Sequence, residues 1–229
     1  MTYTAVVPAR SGSKRLPHKN VKLLGNRPLL VWTLEACIHS KYIDEVMLST
    51  DSIDYWDTAK KYLHSHKLQL DLREPEDASD TVKIFDYLKG KRTKLFGNRA
   101  GAFILALPTV PLRRAKHIDE AIALFESSGN PVFSATNYGF PISFSFSISE
   151  SGNWESLFPH SPMHSGNTRS QNQTDFYHPN GAIYVRDISD LSSNSLKSLY
   201  ANAVPYLMSR DESVDIDSEI DFKVAEALL

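Results

Sequence analysis

Cysteine is almost missing from this sequence: Cys37 is the only one in 229 residues, so an intrachain disulfide is excluded. Cys37 shares an amphipathic stretch with Leu30, Leu34 and Ile38, which marks it as a buried structural thiol rather than a nucleophile. Long apolar runs are missing too. None approaches the roughly 20 residues of a membrane span, and Arg10, Lys14 and Arg15 follow the first apolar stretch, the reverse of a secretory leader. A cytoplasmic protein is expected. Net charge is small: 25 basic residues face 27 acidic ones, for a formal −2, which gives no general attraction to nucleic acid or to an anionic membrane. There is no G-x-G-x-x-G, and Gly12 has no second glycine before the following lysine as a Walker A loop would require. Internal repeats and dividing linkers are also absent. With 41% hydrophobic residues the chain is long enough for one large domain with a substantial core, and residues 1–229 are read as that domain.

What is present alternates between strand and helix. Thr4 to Val7 and Val46 to Thr50 read as short buried strands, and Pro28 to His39 between them has helical spacing with Pro28 suited to the start. Ala102 to Leu107 and Val132 to Ala135 repeat the pattern around a helix from Lys116 to Ser127, where Ile118, Ala121, Ile122 and Phe125 share a face. These βαβ units predict an α/β fold with a mostly parallel sheet covered by helices. Residues 137–177 break the rhythm. Ile142 to Ile148 alternates apolar and polar residues, as in a hairpin with one buried face, and a polar stretch rich in Ser, Asn, His and Gln follows; an inserted arm that contacts another chain is expected.

The stretch PARSGSKRLPHKN, residues 8 to 20, carries Arg10, Lys14, Arg15, His18 and Lys19 directly after the first strand. In open α/β sheets ligands bind at the carboxyl ends of strands. Ser11, Gly12 and Ser13 would let backbone N–H groups approach an anion, and the cations would balance a polyphosphate. A solvated basic loop is the alternative reading. Near the other end, Asp215 and Asp217 flank Ile216, so an extended backbone would point both carboxylates to one side, as oxygen ligands of Mg²⁺ require. Equally, these residues lead into a C-terminal helix with Ile220, Val224 and Leu228 at four-residue spacing, and Ser218 with Asp221 resembles a capping box.

PARSGSKRLPHKN is similar to the N-terminal motif of the CMP-sialic acid synthetases, the acylneuraminate cytidylyltransferases. LSTDS at 48–52, ASDT at 78–81, PTVPLR at 108–113, HPNGAIYV at 178–185 and SVDIDSEIDF at 213–222 resemble that family in the same order, so the likeness spans essentially the whole chain. The resemblance implies a three-layer nucleotidyltransferase fold with an inserted dimerisation arm and a homodimer. It also implies transfer of CMP from CTP to the anomeric 2-hydroxyl of a nonulosonic (sialic-type) acid, with release of pyrophosphate and help from Mg²⁺. Carried over residue by residue, it implies catalytic roles for Arg10, Lys14, Lys19 and Asp217, and metal binding by Asp215 and Asp217. Nucleotide contacts fall on Ala9, Arg10, Ser11, Gly12, Asn20, Arg73 and Ser79, and substrate contacts on Thr109, Arg113, Arg169, Gln171, Asn180 and Gly181.

Departures from the family pattern bear on the sugar. Leu107 and Val110 stand where an amide and a hydroxyl are common, and His178 where an arginine is frequent, so discrimination by hydrogen bonds and fixed charge changes there. Arg73 is separated from Pro75 by Glu74, whereas the family often reads Arg-Pro. A ketodeoxyoctonate-type cytidylyltransferase and a catalytically inactive nucleotide-binding module are the competing readings.

Overall fold

The computed structural model describes residues 1–79, 81–167, 169–193 and 196–229; Asp80, within the ASDT motif, lies outside them. Its centre is a seven-stranded sheet of β1 (Tyr3–Pro8), β4 (Glu45–Thr50), β5 (Leu68–Leu72), β6 (Ala102–Leu105), β7 (Val132–Asn137), β10 (Tyr177–Asp187) and β11 (Val204–Leu207). The spatial order is β11-β7-β10-β6-β1-β4-β5. Only β10 runs antiparallel to its neighbours, β6 and β7, and the remaining pairings are parallel. Apolar runs such as Ala5-Val6-Val7 are buried on both faces, as strands of a parallel sheet sandwiched between helices must be.

One face packs on α1 (Leu29–His39), α2 (Ile53–Tyr62) and α5 (Ala115–Ser128), through residues including Leu30, Leu34, Ala59, Ile118 and Ile122. The other packs on α3 (Ile84–Gly90) and α4 (Arg92–Phe96), through Phe85, Leu88, Leu95 and Phe96. Three layers result, and the strands and helices expected from the sequence are found within a few residues of their expected bounds. Cys37 is buried in α1, and burial pushes its thiol up to about 11. No helix among the described residues is long and apolar enough to cross a membrane. A short ribbon of β2 (Leu23–Leu24) and β3 (Arg27–Pro28) precedes α1. It forms a third small cluster with Ile216 and α7 (Glu219–Ala227).

Two expectations need correction. Residues Ile142–Phe144 form a 3₁₀ turn rather than the start of a strand, and the hairpin consists only of β8 (Phe146–Ile148) and β9 (Trp154–Ser156). Pro141 leads directly into that turn. The apolar hairpin residues Phe146 and Ile148 are exposed within the single chain. In α7 the stripe Ile220, Val224 and Leu228 faces solvent, and the helix buries Phe222 and Ala225 instead. Four-residue spacing marks a face without saying which face packs; here the ring of Phe222, set beside buried Ile216 and Leu24, decides it. Between β8 and β10 the arm also contains β9 and the short helix α6 (Pro162–Ser165).

Candidate active site

The cationic stretch leaves β1 at its carboxyl end and turns back through a 3₁₀ turn, Lys19–Val21. Three contacts fix its path. The Ala9 amide donates to the Ser49 carbonyl at 2.9 Å. Asn20, itself buried, donates from Nδ2 to the Arg10 carbonyl at 3.0 Å. Asp51, just past β4, accepts from both the amide and the hydroxyl of Ser11, at 2.8 and 2.7 Å. These bonds correct the expected use of the loop backbone: the Ser11 amide is held by Asp51 and the Ser13 amide by the Ser11 carbonyl at 3.0 Å. Neither is open to an anion. A Cβ added at Gly12 would meet nothing within 4 Å, so no packing contact demands glycine there.

The loop faces a cleft of about 410 Å³ lined by Arg10, Ser13, Lys14, Arg15, Lys19 and Asn20 on one side and by Leu107, Pro108, Thr109 and Asp217 on the other. Lys19 donates to the Ile216 carbonyl at 2.5 Å and lies 3.2 Å from Asp217, whose second carboxylate oxygen is 2.9 Å from the exposed Arg15 guanidinium. The chain's two ends thus meet across one opening. Ile216 is fully buried between the exposed Asp215 and the half-buried Asp217, and its amide donates to the Thr109 carbonyl at 2.8 Å. Ser218 caps α7 through the expected box, accepting from the Asp221 amide while Asp221 accepts from Ser218 N–H. Both readings of this segment therefore hold together: the cap belongs to Ser218 and Asp221, leaving the two aspartates ahead of it.

Burial of its carboxyl raises the Asp215 pKa, and the neighbouring Asp217 charge adds to this, against a hydrogen bond from Thr109 and the charge of Lys19. The residue as a whole is exposed, yet its carboxyl is desolvated and hydrogen-bonded by Thr109. Two adjacent carboxylates, one of them disfavoured in its charged form by the other, suit a hard divalent cation. Mg²⁺ commonly takes one or two carboxylates and completes its shell with phosphate oxygens and water. The donor set fits Mg²⁺ with Asp215 and Asp217 as its protein ligands. No group of three or more His, Cys, Asp or Glu with metal-binding geometry exists among the described residues.

Other residues singled out in the sequence lie away from the opening. Arg113 is fully buried, and its Nη1 donates to the carbonyls of Ala182 at 2.7 Å and Leu107 at 3.3 Å; burial lowers its pKa to about 10. It braces the cleft wall from behind, which corrects its expected substrate contact. Arg113 also lines a second cavity of about 360 Å³ with Trp32, Glu35, Arg114 and Glu212, and no other expected site residue belongs to that cavity. Asn180, also buried, accepts from the Ser134 hydroxyl at 2.6 Å and donates to Ser213 at 2.8 Å. Its amide ties β10 to β7 and to the segment before α7, and it is not among the residues that line the cleft. Gly181 lies inside β10, at a register irregularity with φ +76°, where an added Cβ would stand 3.2 Å from Leu107.

Arg73 is 7% exposed behind β4 and β5, and the exposed Ser79 hydroxyl shares a hydrogen bond with Thr81 at 3.1 Å. Arg169 and Gln171 are exposed in the arm and do not line the cleft. Of the three departures, Leu107 lines the cleft, Val110 is fully buried, and His178 rests 4.7 Å from the Tyr138 ring in the arm's base. Sequence reasoning missed the function of Asp51 as the anchor of Ser11. Its signal was the acidic residue in LSTDS directly after a strand.

The sheet order, the helices on both faces and a cationic loop at the carboxyl end of β1 define a nucleotidyltransferase type of fold. The solved structure of CMP:2-keto-3-deoxy-manno-octonic acid synthetase complexed with CTP is similar, with a TM-score of 0.70 at 15% identity, covering 100% of this chain and 98% of the other. The family model described as Cytidylyltransferase matches residues 4–223, and the chain belongs to that family. It is 32% identical to CMP-N,N'-diacetyllegionaminic acid synthase of Legionella pneumophila, over 100% of this chain and 97% of that protein. It is also 33% identical to N-acylneuraminate cytidylyltransferase of Escherichia coli, over 96% of this chain but only 50% of that protein. The chain thus spans nearly all of one curated relative and about half of the other.

Proposed function

We propose that this protein moves CMP from CTP to the anomeric 2-hydroxyl of a nonulosonic acid. The observation that carries the reading is the convergence of Arg10, Lys14, Arg15 and Lys19 with Asp217 around one cleft. In the reaction the 2-hydroxyl oxygen bonds to the α-phosphorus, the bond from that phosphorus to the bridging oxygen breaks, and pyrophosphate leaves with the electron pair. Arg10, Lys14 and Lys19 neutralise the triphosphate and the charge that grows on the leaving group. When bound at Asp215 and Asp217, Mg²⁺ supplies further neutralisation of that charge. Asp217, engaged by Arg15 and Lys19, is a poor proton acceptor, so the hydroxyl proton passes to solvent.

The choice of a nonulosonic acid is supported by the relatives named for neuraminic and legionaminic acids. The ketodeoxyoctonate enzyme is similar in fold alone. A catalytically inactive module is disfavoured because Lys14, Lys19, Asp215 and Asp217 are all present. Pyrophosphate release from CTP, measured with a panel of nonulosonic acids and with ketodeoxyoctonate, tests the three readings. Release only with nonulosonic acids is expected; release only with ketodeoxyoctonate, or with no acid, overturns the proposal.

We further assign residues 137–177 as a dimerisation arm whose occupant is a second copy of the chain. Phe140, Phe146, Ile148, Trp154 and Leu157 are all exposed, an apolar surface of the kind that marks an interface. Arg169 and Gln171 then reach the sugar in the neighbouring subunit's cleft. An Arg169→Ala chain mixed with an Asp217→Asn chain should regain activity through one intact composite site. A fully active monomer in sedimentation would exclude the arrangement.

A further inference from the structure

The peptide unit between Arg10 and Ser11 is held at both of its polar ends. Its carbonyl accepts from Asn20 Nδ2 at 3.0 Å, and its N–H donates to Asp51 Oδ1 at 2.8 Å. The other Asp51 oxygen accepts from the Ser11 hydroxyl at 2.7 Å, so one carboxylate grips one residue of the cationic loop twice. Just before Arg10, the Ala9 amide donates to the Ser49 carbonyl at 2.9 Å. The main chain on both sides of Arg10 is therefore tied to β4 and the residue that follows it.

Asp51 is itself flanked by fixed neighbours. It directly follows β4, and Ser52 after it caps α2 by accepting from the Tyr55 amide, while the Ser52 amide donates to the Thr50 hydroxyl at 3.2 Å. Tyr55, in the first turn of α2, is buried with its hydroxyl unpaired. Burial raises the Tyr55 pKa, and the Asp51 charge adds to this. Asp51 thus lies near a buried donor, yet both of its oxygens bond Ser11 instead.

Charge alone argues against an acidic residue here. Arg10, Lys14, Arg15 and Lys19 gather around the cleft, and a carboxylate near them lowers the positive potential that a polyphosphate meets. Geometry accounts for it. A carboxylate is acceptor-only, so it takes the Ser11 N–H and O–H together through charge-assisted bonds. A cation aimed at developing charge is most effective when its position is set before the ligand arrives. We propose that Asp51 is a positioning residue that, through Ser11, aims Arg10 at the phosphates of the nucleotide, while its own charge opposes their binding. This rests on the cytidylyltransferase reading, under which the anion is the triphosphate of CTP.

The test compares Asp51→Asn with Asp51→Ala, both neutral at residue 51, so that charge does not distinguish them. Calorimetry measures binding of CTP and of inorganic tripolyphosphate, alongside steady-state rates and urea midpoints. Asn keeps an acceptor for the Ser11 amide and offers Nδ2 to the Ser11 oxygen. It should bind tripolyphosphate at least as tightly as the wild type, and up to about 10-fold more tightly with a like charge removed. Ala should bind it about 10-fold more weakly than Asn, the scale of a lost hydrogen bond. The kcat of Ala should also fall by about 10-fold relative to Asn, because Arg10 meets charge that grows in the transition state. Equal tripolyphosphate affinity in folded Asn and Ala variants would overturn the inference; a difference confined to urea midpoints marks a merely structural role and does the same. An Asn variant that binds tripolyphosphate more weakly than the wild type would overturn it as well, since the charge would then assist binding. A wild type that binds neither CTP nor tripolyphosphate overturns the cytidylyltransferase reading itself, whereas the other adverse results leave that reading standing.

Discussion

The loop before α1 and the loop between β6 and α5 border the same cleft and treat their cations in opposite ways. Lys14 and Arg15 are exposed, and Lys19 reaches Asp217 at the opening. Arg113, in the second loop, is buried and holds the carbonyls of Leu107 and Ala182. The first loop presents charge to whatever enters. The second uses charge to shape the wall. A cation in a motif at a strand end therefore has two uses, and the partner set, more than the residue type, distinguishes them.

The comparison is tested most severely at the front of the cleft. Lys19→Ala should lower CTP turnover by at least about 100-fold, and Asp217→Asn by a similar or greater factor, the scale of losing a group that stabilises transition-state charge. Asp217 lies at the mouth of the cleft, so the urea midpoint of Asp217→Asn should change little, whereas Lys19→Ala also loses the bond to the Ile216 carbonyl and should show a modest shift. The apparent Mg²⁺ requirement of Asp217→Asn should rise, because an amide holds a hard cation less well than a carboxylate. Near-normal turnover with unchanged Mg²⁺ dependence in both variants would remove this face from the chemistry.

Behind the wall the order of effects reverses. Arg113→Ala should lose about 2–4 kcal/mol of stability, from the lost volume and from two carbonyls left unpaired. Arg113→Met should lose less, since it keeps volume and removes a buried charge whose hydrogen bonds go to neutral carbonyls. If Arg113→Ala were as stable as the wild type but failed to bind the acid, Arg113 would belong with Lys19 after all.

The same distinction explains what could be read from the sequence. The parallel sheet was legible because strands buried on both faces leave contiguous apolar runs, and α5 because Ile118, Ala121 and Ile122 repeat at helical spacing. The cleft's two charged borders were legible as a cationic loop and as Asp215-Ile216-Asp217. Side-chain destinations were not. Arg113 and Asn180 sit in motifs beside the cleft, but one turns under the wall and the other bonds Ser134 in β7 and Ser213 ahead of α7. Those partners are distant in sequence, so no local pattern records them. The α7 stripe misled for the same reason: Ile216 and Leu24 choose the buried face, and Leu24 lies far from the helix in the chain.

Gly181 should show a smaller effect than Arg113. At φ +76° an alanine is strained by about 1–2 kcal/mol, and its Cβ would press on Leu107 at 3.2 Å. Because Leu107 lines the cleft, Gly181→Ala should also raise the KM for the acid more than that for CTP. Equal stability of the variant and the wild type would show that the β10 irregularity relaxes without cost.

The smallest expected effect concerns His117, a brace on the far side of the second loop. Its Nδ1 accepts from the Arg114 amide at 3.0 Å at the start of α5, and Nε2 faces Glu212 at 3.1 Å. With Nδ1 accepting, Nε2 carries the proton in the neutral ring and donates to Glu212. Burial lowers the pKa of His117, helped by the charge of Lys116 and opposed by Glu212 and Glu120. The unfolded chain, with a histidine pKa of about 6.5, then binds the proton more readily than the folded one. Stability from this group is present above that value and is lost as pH falls toward the lower folded pKa, because protonation of Nδ1 removes the acceptor from the Arg114 amide. Gln at the same position can accept from that amide, as capping boxes use it, without titrating. His117→Gln should therefore lie within about 1 kcal/mol of the wild type at neutral pH and lose less stability on mild acidification. Urea unfolding of both proteins across that range checks the sign. Parallel pH profiles would mean that His117 does not titrate as a brace, whereas a steeper loss in the variant would mean that the protonated ring, paired with Glu212, is the form the fold prefers.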